Sequence, residues 1–141
     1  MRSLLMLLLA VVPIVLGLVS AETTRAQSFS SAVWQLDDIS GPLTAQVEPS
    51  SRYTVQFRSD GTVSIQADCN RASGLWTGGT TSLDVTITLS TPTTCPSGSF
   101  GRTFLQALDG ATGYSLSGTR LTLPYEANGT TGSMVLVAAP V

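Results

Sequence analysis

The sequence has 141 residues, with 7 basic and 9 acidic side chains and a formal net charge of −2; every basic residue is Arg, and His is absent. A chain without imidazole or lysine amine cannot form the Ser-His-Asp, Cys-His or Ser-Lys arrangements of nucleophilic hydrolases. The His and multiple Cys ligands that zinc prefers are also missing. Because the Arg residues are scattered, nucleic acid is not an expected partner. We therefore expect a non-enzymatic protein without a metal or another cofactor.

The N-terminal region has the features of a secretory signal. An apolar run over residues 4–19 follows Arg2, and Val19-Ser20-Ala21 offers the small residues that a signal peptidase reads. The run is shorter than the roughly 20 apolar residues of a spanning helix, which favours cleavage over a permanent anchor. We predict a signal peptide over residues 1–21, with cleavage after Ala26 as the second choice. A secreted or periplasmic location follows, with membrane attachment only through an uncleaved signal segment.

Residues 22–31 are predicted to be a polar lead-in, and residues 32–138 fit one domain with one core. Apolar residues alternate with polar ones in the first part of this domain, which is the pattern of half-buried strands. The predicted strands are 32–39, 53–57, 63–69, one that begins at Leu75-Trp76, and 83–89. Asp60-Gly61 predicts a hairpin turn before the third strand, and Ser73-Gly74 predicts a turn after it.

The apolar period changes after the Pro-containing bend at 90–99. Apolar residues then recur at helical spacing, at Phe100, Phe104, Leu105 and Leu108. Ser97 or Ser99 can cap the start of this helix, and Gly110 can close its end. Three closing strands are predicted around 114–116, 121–125 and 134–137. This order with short connections predicts an α+β fold: a strongly curved antiparallel sheet or partial β-barrel with one short helix packed on it.

The chain contains two cysteines, Cys69 and Cys95. In an exported protein with no cysteine left over, the simplest interpretation is one disulfide. A loop of this length would add roughly 3 kcal/mol to the free energy of unfolding. A reactive thiol is the weaker alternative, because no His or Lys is present to lower a thiol pKa.

Five features occur in a fixed order: Trp34-Gln35-Leu36 in a strand, the Phe57…Asp60-Gly61 turn, the Cys69-Asn70…Ser73-Gly74 step, the Thr-rich bend before Cys95, and the Phe104-Leu105…Leu108 helix. Together they resemble the META domain family, which includes the bacterial heat-shock protein HslJ, and the resemblance covers residues 32–138. The family usually has Gly where this chain has Ile65 and Asp68. The resemblance implies a small exported β-rich domain associated with bacterial envelope proteins and stress responses, and it implies no catalytic residues.

Two groups of residues are candidates for a site. Asp60, Gly61, Cys69, Asn70 and Gly74 carry the family resemblance, and we expect them to be structural; Asn at a strand end usually bonds neighbouring backbone, although its amide can also mark a ligand pocket. Trp34, Trp76 and Phe104 could line an apolar cleft between sheet and helix, whereas a Trp that alternates in a strand is more typical of a core.

The leading hypothesis is a non-enzymatic META-like protein with a binding or envelope-maintenance role. Its expected partner is a small apolar ligand or an envelope protein, and a monomer is expected. The alternative is a secreted inhibitor or adhesion module that acts through the Thr/Ser-rich loops near Cys95. A carboxylate-based hydrolase is third: two acids suffice for glycoside hydrolysis, but Asp60, Asp84 and Asp109 each have a structural explanation in a turn, on a polar strand face and at a helix end.

Overall fold

A computed structural model of the chain describes Gly17 and residues 30–140. The predictions for the signal peptide and for most of the lead-in lie outside the described residues. Residues 30–140 form nine strands and the helix α1 (Gly101–Asp109). The strands are β1 (Val33–Ser40), β2 (Ala45–Gln46), β3 (Tyr53–Phe57), β4 (Thr62–Ala67), β5 (Asn70–Gly78), β6 (Leu83–Ser90), β7 (Ser115–Ser117), β8 (Arg120–Ala127) and β9 (Thr130–Ala138).

The strands form one antiparallel sheet in the order β6-β5-β4-β3-β1-β9-β8-β7, with β2 paired to β1 beside this path. The two ends of the sheet approach each other. Ser82 and Gly113 form an isolated bridge, and the Tyr114 amide donates to the Thr81 carbonyl over 2.9 Å. The sheet is therefore curled into a half-barrel, which confirms the predicted architecture.

Helix α1 packs on the inner face of the curled sheet, against β6, β8, β4 and β1. Phe104, Ala107 and Leu108 form its buried stripe. The position preceding the helix is Phe100, whose side chain makes no capping bond; the Ser99 hydroxyl, one of the two predicted caps, accepts from the Gly101 amide over 3.2 Å. The inner space of the half-barrel is thus filled by the helix.

The core is continuous and apolar in the described part of the chain, without a buried polar or charged residue. Its largest fully buried side chains are Trp34, Leu36, Ile39, Phe57, Leu83, Phe104, Leu108, Leu121, Leu123, Tyr125 and Met134. The alternate residues of each strand that point inward supply most of this set, as expected for strands with one buried face.

The connection after β4 differs from the prediction. The turn lies at Asp68-Cys69 and not at Ser73-Gly74, so β5 runs without a break from Asn70 to Gly78. Asp68 takes a left-handed conformation with φ of 59°, which Asp tolerates better than most residues. Gly74 lies beside a β-bulge in β6, where Thr88 is the extra residue, and a Cβ on Gly74 would overlap the Thr86 carbonyl oxygen. Cys69, the last residue of the predicted strand 63–69, is exposed because β4 ends at Ala67.

Candidate functional site

The predicted disulfide is present and joins the β4–β5 turn to the segment before the helix. The Cα atoms of Cys69 and Cys95 are 5.5 Å apart, which is the usual spacing for a disulfide. Residues 91–99, which we call the bend, have no regular secondary structure and are almost entirely exposed. The cross-link fixes the middle of the bend to the sheet.

Asn70 holds the same bend through its side chain. Its Oδ1 accepts from the Thr91 hydroxyl over 2.7 Å and from the Thr93 amide over 3.0 Å. Its Nδ2 donates to the Thr93 carbonyl over 2.7 Å and approaches the Cys95 sulfur at 3.3 Å. These bonds are made to nearby backbone and hydroxyl groups, so the structural role predicted for Asn70 accounts for both ends of its amide.

A shallow depression of about 500 Å³ lies on the bend. Asn70, Cys95 of the disulfide, and Arg102 and Leu105 of helix α1 border it. The rest of its lining is Ser, Thr, Pro and Gly of the bend, together with Ser90. The surface is therefore mostly uncharged, rich in hydroxyl and backbone groups, and held in one shape.

Next to the disulfide lies an ion pair, between Arg52 and Asp68, that the sequence analysis did not predict. Arg52 donates to Asp68 Oδ1 through Nε (3.1 Å) and Nη2 (2.8 Å). The Asp68 side chain is only 9% exposed, and its Oδ2 is buried without a well-formed hydrogen bond among the described residues. The Ser99 hydroxyl and then the Arg52 guanidinium hold the pKa of the Asp68 carboxyl below its usual value. The departure from the family's usual Gly at position 68 is the one sequence signal for this pair.

The Asp60-Gly61 turn forms as predicted, and Gly61 has φ of 86°. Asp60 Oδ1 accepts from the Thr62 hydroxyl (2.7 Å) and amide (3.0 Å), and these bonds lower the pKa of Asp60, the hydroxyl most. Trp76 braces the turn from β5: its amide donates to the Gly61 carbonyl and its Nε1 donates to the Arg58 carbonyl. The family residues at this end of the sheet thus maintain local structure.

The apolar cleft suggested for Trp34, Trp76 and Phe104 is not formed by these side chains. Trp34 is 2% exposed and Phe104 is fully buried, because the helix fills the concave face of the sheet. Trp76 is partly buried, with its ring edge-to-face against Phe57 at 5.6 Å. The structure places two of the three residues in the core and the third against a turn.

Most of the carboxylates near these features have partners. Asp37 pairs with Arg120 at 3.3 Å, Asp68 pairs with Arg52, and Asp109 accepts from the Ile87 amide at 3.1 Å. No group of three Cys, Asp or Glu side chains that could hold a metal ion occurs within residues 30–140. In the same part of the chain, no helix is long and apolar enough to cross a membrane.

A half-barrel of antiparallel strands around one helix, with a disulfide-linked bend before that helix, defines a small domain with a single core. The profile of the META domain family matches residues 27–136, and the chain belongs to this family. No curated protein matches it significantly.

Two solved structures are similar to the chain. One is a DUF4847 family protein from Bacteroides vulgatus ATCC 8482, with 19% identity and a TM-score of 0.53, over 78% of this chain and 95% of that chain. The other is a protein from Burkholderia xenovorans solved by NMR, with 18% identity and a TM-score of 0.54, over 84% of this chain and 88% of that chain. At these identities the likeness concerns the fold alone.

Proposed function

We propose that the protein is an exported, non-enzymatic META domain that binds an envelope protein through the bend and the depression on it. The observation that carries this proposal is the double fixation of an exposed, irregular segment by the Cys69–Cys95 bond and by the Asn70 amide. A loop that is ordered before binding loses little conformational entropy when a partner docks. Loops on a rigid scaffold are also the usual place for binding residues.

Three observations favour this surface over the other expected roles. The core is filled, so an apolar ligand has no space between sheet and helix. Asp68, next to Cys69, is engaged in an ion pair, and Asp109 at the end of helix α1 accepts a backbone bond, which disfavours acid–base hydrolysis by these two carboxylates. An oxidised disulfide suits an oxidising compartment outside the cytoplasm, consistent with the signal-like N-terminus.

The test places a photo-reactive amino acid at Thr94, within the depression, in cells that produce the protein. The control carries it at Thr119, which is exposed in the β7–β8 turn. We expect one specific adduct from Thr94 and none from Thr119. The Thr94 adduct should weaken in the Asn70→Ala background, because the bend loses its fixed shape. Equal labelling at both positions, or labelling insensitive to Asn70, would refute a binding role for the bend.

Export is tested separately on the same cells. We expect the protein in the periplasm or medium, with an intact mass that lacks residues 1–21 or 1–26. A full-length protein retained in the cytoplasm would contradict the proposed location, whatever the result at Thr94.

A further inference from the structure

The exposed large apolar side chains of the described region are Val33, Leu75 and Leu89. Leu75 on β5 is 57% exposed and Leu89 on β6 is 71% exposed. Leu75 pairs with Thr86 in the register of these strands, and Leu89 pairs with Ser73. Each of these four residues is exposed, whereas Ala72 and Gly74, which alternate with Ser73 and Leu75 on β5, are buried, so the two leucines lie on the outer face of the sheet.

The outer face of β5 and β6 also carries two charges of opposite sign. Arg71 lies three residues before Gly74 on β5, and Asp84 on β6 pairs with Thr77, three residues after Gly74. The two charges are thus about 20 Å apart along the strands, one at each end of the leucine pair. Neither forms an ion pair within residues 30–140.

The free edge of β6 is an unsuitable place for a further strand. Its outward amides are taken at two positions: the Leu83 amide donates to the Thr112 carbonyl and the Ile87 amide donates to Asp109 Oδ1. An incoming strand would find these groups occupied and the Asp109 side chain in its path, which is a common protection of sheet edges. A partner is therefore expected on the face of these strands and not along their edge.

We infer that two copies of this domain associate face to face through the outer surface of β5 and β6, in place of the monomer expected from the sequence. A two-fold axis that passes above Gly74 on the outer face, parallel to the sheet and perpendicular to the strands, places the Ser73–Leu89 row over the Leu75–Thr86 row of the second copy. The leucines of the two copies then cover one another. The same axis places Arg71 of each copy over the Thr77–Asp84 row of the other, within reach of its carboxylate. A self-complementary patch of this kind is what a two-fold interface requires.

Sedimentation of the protein as purified from its host, over roughly 1 µM to 1 mM, tests the association. We expect the molecular mass measured by sedimentation to rise from that of one chain to that of two as the protein concentration increases. Leu89→Ser should raise the dimer dissociation constant at least about tenfold, because a buried leucine is lost from each copy. Arg102→Asp and Glu126→Arg change the charge elsewhere on the surface, so they should leave the dimer dissociation constant unchanged.

Reversing the charge of Arg71 or Asp84 distinguishes the proposed two-fold pairing from a nonspecific association of the two chains. Arg71→Asp and Asp84→Arg should each weaken the dimer about tenfold or more, because two attractive contacts become repulsive, and the double variant should restore it. Circular dichroism confirms that each variant is folded. A protein that is monomeric at the highest concentration, or a double variant no better than the single ones, would overturn the inference.

Discussion

The side chain of Asn70 and the backbone of Thr93 exchange two hydrogen bonds. The backbones of paired residues in antiparallel strands exchange the same two bonds. The Asn70 amide donates to the Thr93 carbonyl over 2.7 Å and accepts from the Thr93 amide over 3.0 Å. An Asn side chain has the same donor and acceptor as a peptide group, so it continues the pairing of the sheet into a segment whose own backbone leaves it. This pairing and the disulfide act on the same bend.

We expect Asn70→Ala to lower the free energy of unfolding by about 1 to 2 kcal/mol, because the groups left on the bend are near water and regain part of their bonding. Asn70→Asp keeps the acceptor and loses the donor, so it should fall between Ala and the natural residue. Urea unfolding measures the stabilities, and amide hydrogen exchange of residues 91–99 measures the looseness of the bend. Unchanged exchange in Asn70→Ala would show that the disulfide alone orders the bend.

Replacing both Cys69 and Cys95 by Ser should cost roughly 3 kcal/mol, since the loop between them spans 26 residues and closure limits the unfolded chain. The half-barrel should still form at moderate temperature, because the strand pairing and the core do not depend on either sulfur. Thermal unfolding followed by far-UV circular dichroism measures the difference. The natural protein in excess dithiol reductant is the control and should lose the same amount.

Titration of the Asp68 carboxyl should contribute to the pH dependence of the free energy of unfolding. Its pKa is lowered in the folded protein by Ser99 and Arg52, so its contribution is present above its unfolded pKa of about 4 and is lost as the pH falls through the folded value. We expect the urea midpoint to fall below pH 4 and the fall to be shallower in Asp68→Asn, which is also less stable at pH 7. Glu126→Gln, without an ion pair in the described residues, is the control. An equal slope in both variants would argue against this assignment.

Position 68 also explains why the sequence misplaces a turn. The alternation 63–69 continues smoothly through Asp68, and Ser73-Gly74 has the composition of a turn, whereas the chain reverses at Asp68-Cys69. The Asp68 amide donates to the Arg52 carbonyl, 16 residues earlier, and this tertiary contact adds to a local bond in which the Asp68 carbonyl accepts from the Gln66 side chain. A local pattern does not contain contacts between residues 16 apart, so the reversal and the Arg52 pair were both missed.

Other parts of the fold were predictable because they follow from local periodicity. The alternation in β3 and β6, the helical spacing over α1 and the turn at Gly61 have the predicted positions. Strand β2 has only two residues and exists through its pairing with β1, so no pattern marks it. Whether Phe104 lines a cleft or fills a core depends on how tightly the sheet curls around the helix, and composition does not determine this.

The Tyr125 hydroxyl bonds the loop that follows β1, and its removal should destabilise the protein. Tyr125 is fully buried, and its hydroxyl accepts from the Leu43 amide at 3.2 Å and lies 2.9 Å from the Ser40 carbonyl, to which it can donate. Tyr125→Phe should lower the free energy of unfolding by about 1 to 2 kcal/mol, because the partly buried Leu43 amide loses its acceptor. Tyr114→Phe, which removes one bond to the Gly79 carbonyl near the surface, should cost less. Chemical denaturation of both variants checks the order.

Gly74 should be the least replaceable glycine of the β5–β6 pair. A Cβ there overlaps the backbone carbonyl of Thr86 and approaches the Ile87 Cα at 2.9 Å, so one strand must move and the bulge must reorganise. We expect Gly74→Ala to cost roughly 3 kcal/mol, as overpacking against backbone does. Gly78→Ala is the matched control on the same strand, because its Cβ would meet mainly the Trp76 ring at 3.1 Å, and the end of a side chain yields more easily. Denaturant unfolding of the two variants side by side gives the comparison, and equal losses would show that the bulge adapts to a methyl group.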